Sequence, residues 1–164
     1  MSLKNTIEQT KEAFKIAPKK ALATVKTSST LTDRFRSEIS IRQHDLVIDE
    51  PQSLGGTDSG PNPIEVILAS LGSCQEITYR AVATAMDIPL TKVSSRVEGD
   101  IDFRGFFGVD DSVRPGFNNI RIVVDIESTA SDEQLAALKE AVDAHCPVLD
   151  MLQNQVPVAA SINR

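Results

Sequence analysis

The stretch from Asn62 to about Met86 constrains the fold more than any other part of the chain. Asn62 suits a helix N-cap, Pro63 the first helical position, and Glu65 the third, where its carboxylate can reach back to the cap. The residues that follow are apolar almost all round: Ile64, Val66, Ile67, Leu68, Ala69 and Leu71. A helix of that character is expected to be buried on most sides. It is therefore read as the central helix of the domain, with a kink plausible where Gly72 and Ser73 weaken it.

Other elements arrange themselves around that helix. Residues 4–16 carry part of an apolar stripe (Ile7, Ala13, Phe14, Ile16) and predict a short helix that Pro18 ends. Ala21–Lys26 reads as a strand. Phe35–Ile41 alternates apolar and polar, Arg42–Asp45 reads as a turn, and Leu46–Ile48 as the partner strand. Residues 49–63 form a loop dense in Gly, Pro, Asp and Ser. After the long helix, Val93–Phe103 and Ile120–Glu127 both alternate, and a Gly- and Pro-containing loop, long enough for an arm or lid, joins them. Ser131 and Gln134 make a capping box, and Leu135, Leu138 and Val142 the stripe of a second helix stopping near His145. A short turn of helix follows Cys146-Pro147, and Val156–Ile162 reads as a last strand. Strands, long helix, strands, helix and strand make an α+β chain, not an alternating α/β one.

Length and composition narrow the function. The 164 residues fit one domain able to bury its own core. Residues 1–19 are read as a helical extension and residues 20–164 as the domain. A net charge of −6 lacks the basic footprint of a nucleic-acid binder. Residues 1–20 lack the apolar core of a secretory signal, and no window approaches the ~18 apolar residues of a membrane span. The cytoplasm is the expected compartment, and thiols there stay mostly reduced. Cys74 and Cys146 with His44 and His145 match no zinc spacing.

The two cysteines are the residues with chemistry. Cys74 lies on the long helix, where a buried free thiol ordinarily behaves as a small hydrophobe. Cys146 precedes Pro147 and so falls at a helix N-cap, where free N–H groups favour a thiolate. His145 could add positive charge, or simply sit solvated at a helix C-terminus. Glu65 could serve chemistry or only its capping box. Nine residues at about 100° each put it roughly half a turn round a straight helix from Cys74. Arg34, Arg36 and Arg80 are candidate guanidinium donors.

Two motifs together carry a resemblance. One runs from Gly55-Gly56-Thr57 through Gly60-Pro61-Asn62-Pro63-Ile64-Glu65 to Leu71-Gly72-Ser73-Cys74; the other is His145-Cys146-Pro147-Val148. The combination resembles the OsmC family, which includes the organic hydroperoxide resistance proteins. That family has a Gly-rich loop, a Pro-Glu helix start, a cysteine eleven residues after the proline, and a later Cys-Pro. The likeness covers roughly residues 20–164. It implies an OsmC-like α+β fold, with two β-sheet regions around a long central helix, in an intertwined homodimer with sites at the interface. It implies that Cys74 attacks a hydroperoxide, that Cys146 resolves the sulfenic acid to a disulfide, and that an external dithiol of lipoyl type restores the thiols with no bound cofactor. It also implies an activating arginine from the first hairpin, matched best by Arg34, and a carboxylate at the helix start. Here the sequence departs from the family's peroxidases, which carry glutamate directly after the proline. Ile64 holds that position and the carboxylate comes one residue later, at Glu65. A second reading is a non-catalytic binding protein that holds a small apolar or thiol-reactive ligand at the dimer interface.

Overall fold

The computed structural model describes residues 1–164. The chain divides into two compact units, Met1–Ala69 and Ser70–Arg164, with the long helix running from one into the other.

The N-terminal unit begins with α1 (Leu3–Ile16), capped by Ser2, whose side chain accepts from the Asn5 amide at 3.2 Å. No residue of this helix is buried, and its expected stripe leaves Phe14 and Ile16 exposed. A three-stranded antiparallel meander follows: β1 (Ser28–Asp33), β2 (Arg36–Ile41) and β3 (His44–Ile48). The two turns are two residues each and place Arg34 and Arg42 at φ of 44° and 57°, a region few side chains adopt. They set the register that pairs Ser37 with Ile48 and Ser28 with Ser40.

The expected strand over 21–26 does not form. Residues 18–21 make a single 3-10 turn, and the strand next to β2 is Ser28–Asp33. The hairpin turn decides this. The segment that pairs is the one immediately before Arg34, and its Ser and Thr residues suit an exposed strand.

The loop between β3 and the long helix is organised on Asp49, which is almost fully buried. Its carboxylate accepts from the amides of Glu50, Thr57 and Ser59 and from the hydroxyls of Thr57 and Ser59, at 2.5–3.2 Å. Gly56 makes the wrap possible, because a Cβ there would stand 1.8 Å from the Glu50 carbonyl oxygen. At the far end of the loop the capping box forms as expected. The Asn62 amide donates to Glu65 Oε2 at 2.8 Å, and the Glu65 amide donates to Asn62 Oδ1 at 2.9 Å.

The long helix, α2 (Pro63–Ala85), is one unbroken helix. Burial along it runs against expectation. The apolar first turns are half-buried or exposed, with Ile67 at 41% exposure, and the buried positions are Leu71, Gly72, Gln75, Thr78, Tyr79 and Ala83. Composition marks what a helix can bury. Which turns are covered depends on the elements laid against them.

In the C-terminal unit, β4 (Lys92–Asp100) and β5 (Asn119–Glu127) form a two-stranded antiparallel sheet in continuous register, Val93 opposite Ile126 and Val97 opposite Ile122. Ile120, Ile122, Val124 and Ile126 alternate as the half-buried face. Phe103 does not extend β4. It opens a four-residue helix, α3 (Phe103–Phe106), started by the Asp102 side chain on the Arg104 amide, within the connecting loop. Helix α4 (Asp132–His145) carries its capping box on Ser131 and Gln134, and α5 (Pro147–Gln153) follows at once.

The core of this unit joins Tyr79 and Ala83 of α2 to Ile88, Leu90, Leu138 and Val142, with Val93, Val124 and Ile126 packed against it. Leu138 and Val142 are fully buried. The expected strand at 156–162 does not form. Residues 155–164 have no regular structure and every side chain there is exposed. Alternation alone makes no strand: the ladder needs a partner edge, and none pairs with this segment within the chain.

Candidate functional site

Cys74 and Cys146 are brought together in the C-terminal unit. Cys74 lies one residue before the buried Gln75 on α2, and it is itself partly exposed. Cys146 is 1% exposed and closes one helix while opening the next. Its amide donates to Val142 O at 2.9 Å as the C-cap of α4, and it is the N-cap of α5 with Pro147 at the first position. That double role follows from the Cys-Pro dipeptide. The residue before proline is pushed out of the helical region, and Cys146 takes φ −81°, ψ 109°.

The two sulfurs stand 3.4 Å apart, with the Cys146 thiol donating to Cys74 Sγ. Both cysteines are free thiols. A disulfide has a bond of about 2.05 Å, so the sulfurs are separated by little more than a side-chain adjustment. Burial pushes the Cys74 thiol above its ordinary value. The Val148 amide of α5 bonds to Cys74 and opposes that shift, the neighbouring Cys146 adds to it, and Thr78 opposes it weakly. The thiol therefore holds its proton in this unit taken alone.

Two of these contacts escaped the sequence reading. The Val148 amide reaches Cys74 only because α5 starts immediately after Cys146, which is legible in Cys-Pro-Val once a contact with Cys74 is supposed. Thr78 lies four residues after Cys74, and its hydroxyl donates to the Cys74 carbonyl at 2.7 Å. The spacing alone predicts that bond.

Of the remaining candidates, Glu65, Arg36, Arg80 and His145 have other engagements, and Arg34 is exposed. Glu65 is held in the capping box with Asn62. Arg34 is exposed at the tip of the β1–β2 turn, and Arg36 pairs with Glu38 at 3.3 Å. Arg80 donates to the Leu90 and Thr91 carbonyls at 2.5 and 3.4 Å, tying α2 to the start of β4. His145 Nδ1 lies 2.7 Å from the Ala141 carbonyl, so the ring closes the end of α4 and is exposed. No group of three or more His, Cys, Asp or Glu converges as a metal site. No helix is long and apolar enough to cross a membrane.

Comparison with known proteins places this geometry. The family model described as OsmC-like protein matches residues 56–161, a span that includes both cysteines. Among solved structures, an OsmC-like protein from Mycoplasma pneumoniae superposes with a TM-score of 0.70 at 21% identity, covering 81% of this chain and 89% of that one. An organic hydroperoxide resistance protein from Legionella pneumophila gives 0.61 at 21% identity, over 80% and 90% of the two chains. An uncharacterized protein of Haloferax volcanii is 27% identical over 143 residues, 86% of this chain and 96% of its own.

Proposed function

The chain belongs to the OsmC-like protein family, and from that premise we propose that it is a thiol-dependent peroxidase that reduces organic hydroperoxides in oxidative stress defence. The observation that carries this reading is the 3.4 Å contact between two free thiols, one partly exposed and one buried. An attacking thiol must meet substrate, and a resolving thiol need only meet its partner. Cys74 fits the first role and Cys146 the second.

In the proposed cycle the Cys74 thiolate attacks the terminal oxygen of the hydroperoxide. The O–O bond breaks, the alkoxide leaves and takes up a proton as the alcohol, and Cys74 becomes a sulfenic acid. The Cys146 sulfur then attacks Cys74 Sγ, water departs, and a disulfide forms. An external dithiol, of lipoyl type, reduces it to two thiols and is itself oxidised. The raised Cys74 thiol defines what the rest of the site must supply: a positive charge that favours the thiolate. Arg34 is proposed for that charge, and Glu65 for fixing the guanidinium. The proposal includes an intertwined homodimer and a cytoplasmic setting. The exposed Leu31, Phe35 and Val158 are the kind of surface such an assembly covers.

The test is direct. The reduced protein is treated with cumene hydroperoxide, with and without dihydrolipoamide, and its mass, free thiols and peroxide consumption are followed. Wild type should lose two thiols to one Cys74–Cys146 disulfide and turn over with the dithiol. Cys74→Ser should consume no peroxide, and Cys146→Ser should stop at a trappable sulfenic acid. Arg34→Gln should shift the rate profile to higher pH. A wild-type protein that forms no disulfide and consumes no peroxide sinks the proposal.

A further inference from the structure

The two sulfurs define a bite angle as well as a distance. They stand 3.4 Å apart, and both belong to free thiols. At a bond length of about 2.3 Å, which zinc makes to thiolate sulfur, one atom joined to both would see them at roughly 95°. A linear two-coordinate centre, as Cu(I) forms, would need the sulfurs about 4.6 Å apart at the same bond length. Tetrahedral zinc needs a wider angle and four ligands. No group of three His, Cys, Asp or Glu converges to supply them. An angle close to a right angle suits a pyramidal trivalent centre, whose lone pair presses its bonds together. Trivalent arsenic is a sulfur-seeking element of that kind.

The surroundings of the pair favour the same class. Cys146 is 1% exposed, and burial is the largest influence on the Cys74 thiol and pushes it upward. A Cu(I) ion held by two thiolates carries a net negative charge, which burial disfavours. An arsenical of the form R–As(OH)2 leaves no charge. Each S–H proton departs with an arsenic-bound hydroxide as water. Two As–O bonds break, two As–S bonds form, and nothing is oxidised or reduced. The reagent brings its own third substituent, so the chain need not provide a third ligand. Cys74 is partly exposed and meets the reagent first. Cys146 then closes the ring from a distance of one contact, which makes the second bond intramolecular.

We propose that Cys74 and Cys146 together form a chelating site for small trivalent arsenicals, with one arsenic atom bridging the two sulfurs. Binding needs the reduced thiols and no peroxide. It competes with disulfide formation, because both use the same two sulfurs.

The experiment mixes reduced full-length protein with methylarsonous acid, without peroxide, and follows intact mass and free thiols. Wild type should gain one methylarsenic group per chain and lose both thiols, and 2,3-dimercaptopropanol should reverse this. Cys74→Ser and Cys146→Ser should each bind at least about a hundredfold more weakly, because the intramolecular second bond is gone. Cys146→Ala replaces Cys146→Ser if the latter does not fold, and the wild-type stoichiometry depends on neither. Equimolar zinc should not displace the arsenical. Four outcomes overturn the proposal: no adduct on wild type, an adduct that leaves one thiol free, single-cysteine variants that bind as tightly as wild type, or displacement by equimolar zinc. A protein that takes up the arsenical yet consumes no peroxide fails only as a peroxidase. One that turns over peroxide yet takes up no arsenical fails only here.

Discussion

The two units hold themselves together by different means. In Ser70–Arg164 the buried side chains are mainly apolar, and Leu138 and Val142 are completely sealed. In Met1–Ala69 no large apolar side chain is buried; the buried side chains are Asp49 and Asn62, each held by hydrogen bonds. The β1–β3 meander has half-buried apolar residues on its second and third strands, while Leu31 and Phe35 are exposed. Apolar burial is non-directional and tolerant of pH, whereas a carboxylate hub is directional and titrates. The lesson is that the thiol pair is mounted on the part of the chain that supplies its own core. The loop leading to α2 is instead shaped by one charge.

That contrast can be broken in three ways, in descending order of effect. Leu138→Ala should be the largest, costing about 2–5 kcal/mol through lost burial and a residual cavity, read from denaturant midpoints. Ile39→Ala on half-buried β2 is the control and should cost well under half as much. Equal losses would mean that the N-terminal sheet has a core of its own.

The second is acid. Hydrogen bonds from Thr57, with smaller contributions from Ser59 and Glu50, hold the Asp49 carboxyl well below its ordinary value despite burial. A depressed carboxyl stabilises the fold above its unfolded value of about 3.9 and loses that contribution as pH falls below it. Protection factors of the Thr57 and Ser59 amides should therefore fall on acidification through that range, while those of Leu138 and Val142 hold. Asp49→Asn should lower the loop's protection at neutral pH and flatten its pH dependence. A loop whose protection ignores pH would show that Asp49 is not its organiser.

The smallest effect is expected at Arg96. It pairs with Asp125 across β4 and β5 at 2.5 Å, but both side chains are more than half exposed. Solvent screens such a pair, and Arg96→Ala should change stability by less than about 1 kcal/mol. A larger loss would show that charge pairing, and not the apolar face beneath, holds the C-terminal sheet.

Much of this was legible in the chain. The capping boxes at Asn62/Glu65 and Ser131/Gln134, the helix breaks at Pro18 and before Pro147, and the alternation of β5 are local matters. Each rests on a few neighbouring residues and backbone groups, so sequence alone determined them. The Cys74 and Cys146 motifs were equally readable as a pair. Three things were decided only by tertiary structure. Ser28–Asp33 and not Ala21–Lys26 became β1, because pairing follows the turn. Residues 156–162 stayed unpaired, because alternation supplies a face and not an edge to bond to. The 3.4 Å approach of the two sulfurs, and the burial that raises the Cys74 thiol, join residues 72 apart in the chain. Local bonding writes caps and turns into the sequence. Contact and solvation between distant segments exist only once the core has closed around them.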